Sequence, residues 1–131
     1  MMDDVEFLAA FENCSIPASE YRHKEHLRTA WLYLRRDGWP AGGDRVKEGI
    51  KRFAAFNGVA DKYHETITTF WLLLVKQAIE LAPQASTFEA LLAAHPQLLD
   101  KSLLGRHFTK QLVANPAARV DWLEPDVRPM P

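Results

Sequence analysis

His23 and His26 stand three residues apart in the segment His23-Lys24-Glu25-His26-Leu27. At helical spacing both rings leave the same side of the helix, so both can reach one metal ion. A metal site needs at least a third ligand. His64 is the best candidate, because it shares the apolar face of another long helical stretch with Thr68, Trp71, Leu72 and Val75. Glu65 flanks that face, either as a fourth ligand or as a general base acting on metal-bound water. Tyr63, on the opposite flank, offers a phenolic donor, and Thr68 is one turn on from His64, where a hydrogen bond would fix the ring's tautomer. Trp71, with Trp31, Phe53, Phe56 and Phe70, could line a pocket for a flat ligand, although aromatics at this spacing equally make plain core. Arg119 lies near Trp122 in the C-terminal segment and could reach back to an acidic group such as Glu65.

Neutral imidazole nitrogens suit zinc, iron, nickel or copper, so one divalent transition metal is the cofactor this set implies. Three histidines with an open position favour a catalytic or ligand-binding metal over a closed structural one. A second reading fits the same residues: the histidines are satisfied by hydrogen bonds, hold helices together, and bind no metal. Both readings stand on the sequence. His95, before Pro96 at a helix end, reads as structural, and His107, between Arg106 and Lys110, reads as part of a solvated face. No Gly-x-Gly-x-x-Gly, Walker loop or His-Glu-x-x-His occurs, and a di-iron pair is not expected, because Glu20-x-x-His23 has no second copy. Cys14 has no electropositive helix start behind it to activate the thiol.

Strand signals are almost absent and helical spacing recurs throughout. A short first helix is expected from about Asp3 to Asn13, with Phe7, Leu8 and Phe11 inward. A second covers His23 to Asp37, ended by Gly38, with Arg28, Arg35 and Arg36 on its solvated side. Pro40-Ala41-Gly42-Gly43 is expected as a loop, with Asp44 capping a third helix whose inward residues are Val46, Ile50 and Phe53. The fourth helix, from near Asp61 to Ala82, is the central element, with Trp71 buried in its main face. Ser86 and Glu89 suggest a capping box for a fifth. A last stretch, Gln97 to Val113, has Gly105 as its weak point. The chain is thus expected to be an all-α, single-domain bundle of five or six helices over residues 1–131. Residues 114–131 form an extended tail, too rich in proline for a helix and packed through Val120, Trp122 and Leu123. If the second and fourth helices run parallel, as an up-down-up order favours, their first turns meet and His23, His26 and His64 converge at one end of the bundle.

The 131 residues carry 16 basic and 17 acidic side chains, a formal net charge of −1. That balance gives no global field to draw the chain to nucleic acid or an acidic membrane. The expected partner is a small-molecule ligand. The acidic start, Met1-Met2-Asp3-Asp4-Val5-Glu6, is unlike a secretory signal, and the longest apolar run, 70–75, is too short to span a bilayer. With a single cysteine and no disulfide, a cytoplasmic location is expected.

Three segments together resemble a family of small, uncharacterised, mainly bacterial all-helical proteins. They are Tyr21-x-His23-x-x-His26-Leu27-x-x-Ala30-Trp31, Tyr63-His64-Glu65-Thr66-x-Thr68, and Ala118-Arg119-x-x-Trp122-x-x-Pro125-Asp126. The resemblance covers about Phe11 to Pro129, with Tyr21 where phenylalanine is expected. It implies that His23, His26, Tyr63, His64, Glu65 and Arg119 belong to one site, and it implies no reaction.

Overall fold

The computed structural model describes residues 2–131, so Met1, the first residue of the acidic start, lies outside the described residues. Every regular element among the described residues is helical. None is long and apolar enough to cross a membrane. The chain divides into two compact units, one ending at Tyr63 and the other beginning at His64. No proline- or glycine-rich linker marks that division in the sequence.

The first unit contains α1 (Asp4–Glu12), α2 (His23–Asp37) and α3 (Ala41–Phe56), with short 3-10 turns at Ala18–Glu20 and Ala60–Lys62. Asp3 starts α1 with a reciprocal capping box: its Oδ1 accepts the Glu6 N–H at 2.8 Å, and Glu6 Oε1 accepts the Asp3 N–H at 3.3 Å. Glu25 starts α2 by accepting the Arg22 N–H at 2.9 Å, and Gly38, at φ 72°, stops it. The core is aromatic. The Phe11 ring stacks on Tyr21 at 5.3 Å and on Phe53 at 6.1 Å, and meets the edge of Tyr33 at 6.4 Å. Rings paired in this way are worth about 0.5–1.5 kcal/mol beyond the area they bury. Gly49 makes room for this cluster, since a Cβ there would run into the Phe11 ring.

Four expectations in this unit need correction. Of the segment expected as a loop, 40–43, residues 41–43 instead open α3, with Pro40 at its N-cap. Its helical packing explains the glycine: a Cβ on Gly42 would lie 2.5 Å from the Tyr33 carbonyl oxygen, so only glycine lets α3 start against α2. Asp44 consequently sits inside the helix and is not its cap. Arg28 is not simply solvated. It pairs with Asp4 at 2.9 Å and lies 4.4 Å above the Phe7 ring, tying α2 to α1. Ile50 and Leu8, expected inward, are half-buried.

The second unit contains α4 (Glu65–Leu81), α5 (Phe88–Ala94), α6 (Lys110–Ala114) and α7 (Pro116–Val120), with 3-10 turns at Pro96–Leu99 and Lys101–Arg106. The α4 helix buries Thr66, Phe70, Leu72, Leu74, Val75 and Ala78. Trp71, expected buried, is only half-buried, whereas Phe70 is 0 % exposed. Burial on α4 extends round both sides of the helix, from Phe70 and Leu74 to Leu72 and Val75, and the rest of the unit covers Phe70 more fully than Trp71. Phe70 meets Trp71, Phe108 and the His107 ring at 5.1, 5.6 and 5.4 Å. His107 is therefore buried and not on a solvated face.

The fifth helix is capped by Thr87, whose Oγ1 accepts the Ala90 N–H at 3.1 Å; Ser86 lies one residue outside. That register puts Phe88 into the core. The stretch 97–113 is not one helix, because Asp100 and Thr109 each cap a new segment and divide it. The expected extended tail also begins with a helix. Asn115 accepts the Ala117 N–H at 3.0 Å, Pro116 takes the first helical position, and the resulting α7 packs on α4 through Ala118, which is 0 % exposed. Val120 is 73 % exposed and contributes no packing, whereas Trp122 and Leu123 are half-buried.

Candidate functional site

His64 precedes α4 in extended conformation, at φ −135° and ψ 109°, and caps the helix. Its Nδ1 accepts the Ile67 N–H at 3.1 Å. A ring nitrogen that accepts carries no proton, so the hydrogen sits on Nε2, which donates to the Val113 carbonyl at 2.8 Å. The ring is buried, and both nitrogens are committed to backbone. His64 is thus not a face residue of a helix beginning at Asp61, as the sequence suggests. It is a histidine used where serine, threonine or aspartate would be usual, and its length lets it reach α6 as well as cap α4.

Glu65 is the first residue of α4, where its negative charge favours the helix dipole, and Oε2 accepts the Thr69 hydroxyl at 3.4 Å. Thr68 and Trp71 are half-buried. Arg119 stands exposed on α7. The polar residue that the sequence reading missed is Thr66, 0 % exposed. Its hydroxyl donates to the Asp121 carbonyl at 2.7 Å and accepts the Leu123 N–H at 3.2 Å, so it binds the C-terminal segment at two points. The signal available for it was its place inside Tyr63-His64-Glu65-Thr66, a segment read there only for its neighbours.

His23, His26 and Tyr63 belong to the first unit. Both histidines are half-buried on the first turn of α2. His26 Nδ1 lies 2.8 Å from the Arg22 carbonyl and donates to it. Its ring rests at 4.3 Å from Tyr21, which is buried with its hydroxyl 2.8 Å from Thr29 Oγ1. Burial pushes the Tyr21 phenol well above the ordinary tyrosine range, with the Thr29 hydrogen bond opposing it more weakly. Tyr21 is therefore a packed donor and not an acid. Thr29 also donates to the Glu25 carbonyl at 2.8 Å, so the hydroxyl pair is fully used inside the core. Tyr33 behaves alike: burial and a 2.6 Å hydrogen bond to Glu12 hold its proton. Tyr63 is half-buried, with Lys51 Nζ 5.0 Å above its ring.

Among the described residues, no group of three or more His, Cys, Asp or Glu side chains lies close enough to hold a metal ion. Buried Cys14 stands apart from any disulfide. No family model matches the chain, and comparison with curated proteins and with solved structures returns no significant match.

Proposed function

We propose that the protein is a small helical adaptor or regulatory module whose histidines join backbone segments and which works without a bound metal. The observation that supports this reading is the double commitment of His64. A metal at Nδ1 would have to displace the Ile67 N–H and uncap α4. A metal at Nε2 would have to displace the Val113 carbonyl and release α6. Either exchange leaves a polar backbone group without its partner, at about 1–3 kcal/mol if it stays buried. The module works in the cytoplasm, where a lone buried thiol such as Cys14 stays reduced. Its balanced charge does not favour nucleic acid.

A second reading rests on His26. A histidine that donates Nδ1–H to a backbone carbonyl, as His26 does to Arg22, has its ring orientation and tautomer fixed in the way common among metal ligands. On that reading His23 and His26 hold zinc, iron, nickel or copper, or a small ligand, on the first turn of α2. One experiment separates the two. The protein is purified without a histidine tag and its metal content is measured by mass spectrometry, beside a variant with His23, His26 and His64 all replaced by alanine. The first reading expects well under one equivalent of metal in both proteins. About one equivalent in the wild type, lost in the variant, would overturn it in favour of the second.

A further inference from the structure

The C-terminal residues 121–131 are held to the rest of their unit in an unusual manner. No residue from Asp121 to Pro131 is fully buried, and only Trp122, Leu123, Pro125 and Met130 are half-buried, so apolar burial alone does not retain them. Hydrogen bonds hold them as well, at two stations. At the first, the buried Thr66 hydroxyl holds the Asp121 carbonyl and the Leu123 N–H. At the second, three consecutive residues take part. The His107 carbonyl accepts the Val127 N–H at 2.9 Å, and His107 Nδ1 donates to the Arg128 and Pro129 carbonyls at 3.0 and 3.1 Å. Thr109 donates to Asp126 through its N–H at 2.8 Å and its hydroxyl at 2.6 Å. Phe108, between these two anchors, carries the Trp122 ring edge-on at 5.9 Å, and the Trp122 indole N–H is donated to Glu124 at 3.1 Å. Trp122 thus links the stations mechanically, with only Glu124 and Pro125 between the residues of one station and those of the other.

From this arrangement we infer that residues 121–131 are a releasable strap, which detaches as one piece from a body formed by α4, α5, α6 and α7 that stays folded. Local opening occurs where full burial is lacking and retaining bonds reach the surface; no residue of the strap is fully buried, and its two bonds from Thr109 to Asp126 are exposed. The body keeps its own core, since α7 remains on α4 through the buried Ala118 and Phe70 remains enclosed by Phe108 and His107. Release bares groups the strap covers, among them the Thr66 hydroxyl, the His107 Nδ1 and the Phe108 edge on which Trp122 lies. A strap fastened by a few polar ties can be displaced by a competitor for those ties. A chain held by packed apolar side chains would not yield in that way.

Amide hydrogen exchange on the whole protein tests this, read residue by residue by NMR and corrected for intrinsic rates. In the wild type, Leu123 and Val127 should exchange faster than the core amides of α4 between residues 72 and 78. Thr66→Val removes the hydroxyl at the first station while keeping the side-chain shape. It should accelerate Leu123 and also the distant Val127 about tenfold, with the α4 core unchanged. Asp126→Asn, on an exposed residue whose replacement leaves the core untouched, should accelerate the same two amides from the other station. The inference is overturned if strap and α4 amides share one rate in the wild type. It is equally overturned if each variant accelerates only the station it touches, or accelerates the α4 core along with the strap.

Discussion

Replacing His64 by alanine should destabilise the protein by about 2–3 kcal/mol. Loss of an N-cap acceptor costs about 1 kcal/mol, within a range of 0.5–2. Loss of the tie from Nε2 to Val113 removes a hydrogen bond worth about 1 kcal/mol net. Emptying the space of a buried ring contributes the remainder, since the surroundings collapse only partly. The two bonds can be separated by a second variant. His64→Asn keeps an acceptor suited to an N-cap but is too short to keep the span to Val113, so it should recover about 1 kcal/mol of the loss. The assay is urea denaturation at neutral pH followed by circular dichroism, with the midpoint and slope compared across wild type, Asn and Ala. A loss below about 0.5 kcal/mol for alanine would show that the double commitment of His64 contributes little. Asn no better than Ala would show that the capping half of the argument is wrong.

Two further outcomes follow from burial and charge. Phe70→Ala should cost about 3–5 kcal/mol, as truncation of a fully buried aromatic does, and Trp71→Ala clearly less because the indole is half-buried; a larger loss at Trp71 in the same denaturation assay would restore the placement expected from the sequence. The Thr109 hydroxyl and amide hold the Asp126 carboxyl below its usual value of 3.8, so the stability this tie contributes is present above that value and is lost as the pH falls through the lower folded one. The Thr109 amide resonance, followed from pH 7 to pH 2.5, should therefore titrate below 3.8, and a midpoint at or above 3.8 would contradict the assigned bonds.

The sequence alone determined that this chain is helical, and it placed α1 and α2 within a residue of where they lie. Those two helices carry their own start and stop signals, Asp3 with Glu6 and Gly38, which act locally and can be read locally. The sequence also marked His23, His26 and His64 as residues to explain. What it could not determine was which way each histidine is used. Periodicity assigns a face only to residues inside the helix, and the four-residue delay of α4 left His64 outside it, as its cap. The other nitrogen of that ring bonds a partner 49 positions away, the Val113 carbonyl, which no local pattern announces. The same holds for Gly42, whose absent side chain matters only because Tyr33 lies against it, and for Thr66, an ordinary helical threonine until residues 121–123 cross it. Local signals set where helices form. The tertiary structure decided what the polar side chains at their ends do, because a buried hydrogen bond is defined by both partners and the chain supplies them from distant positions.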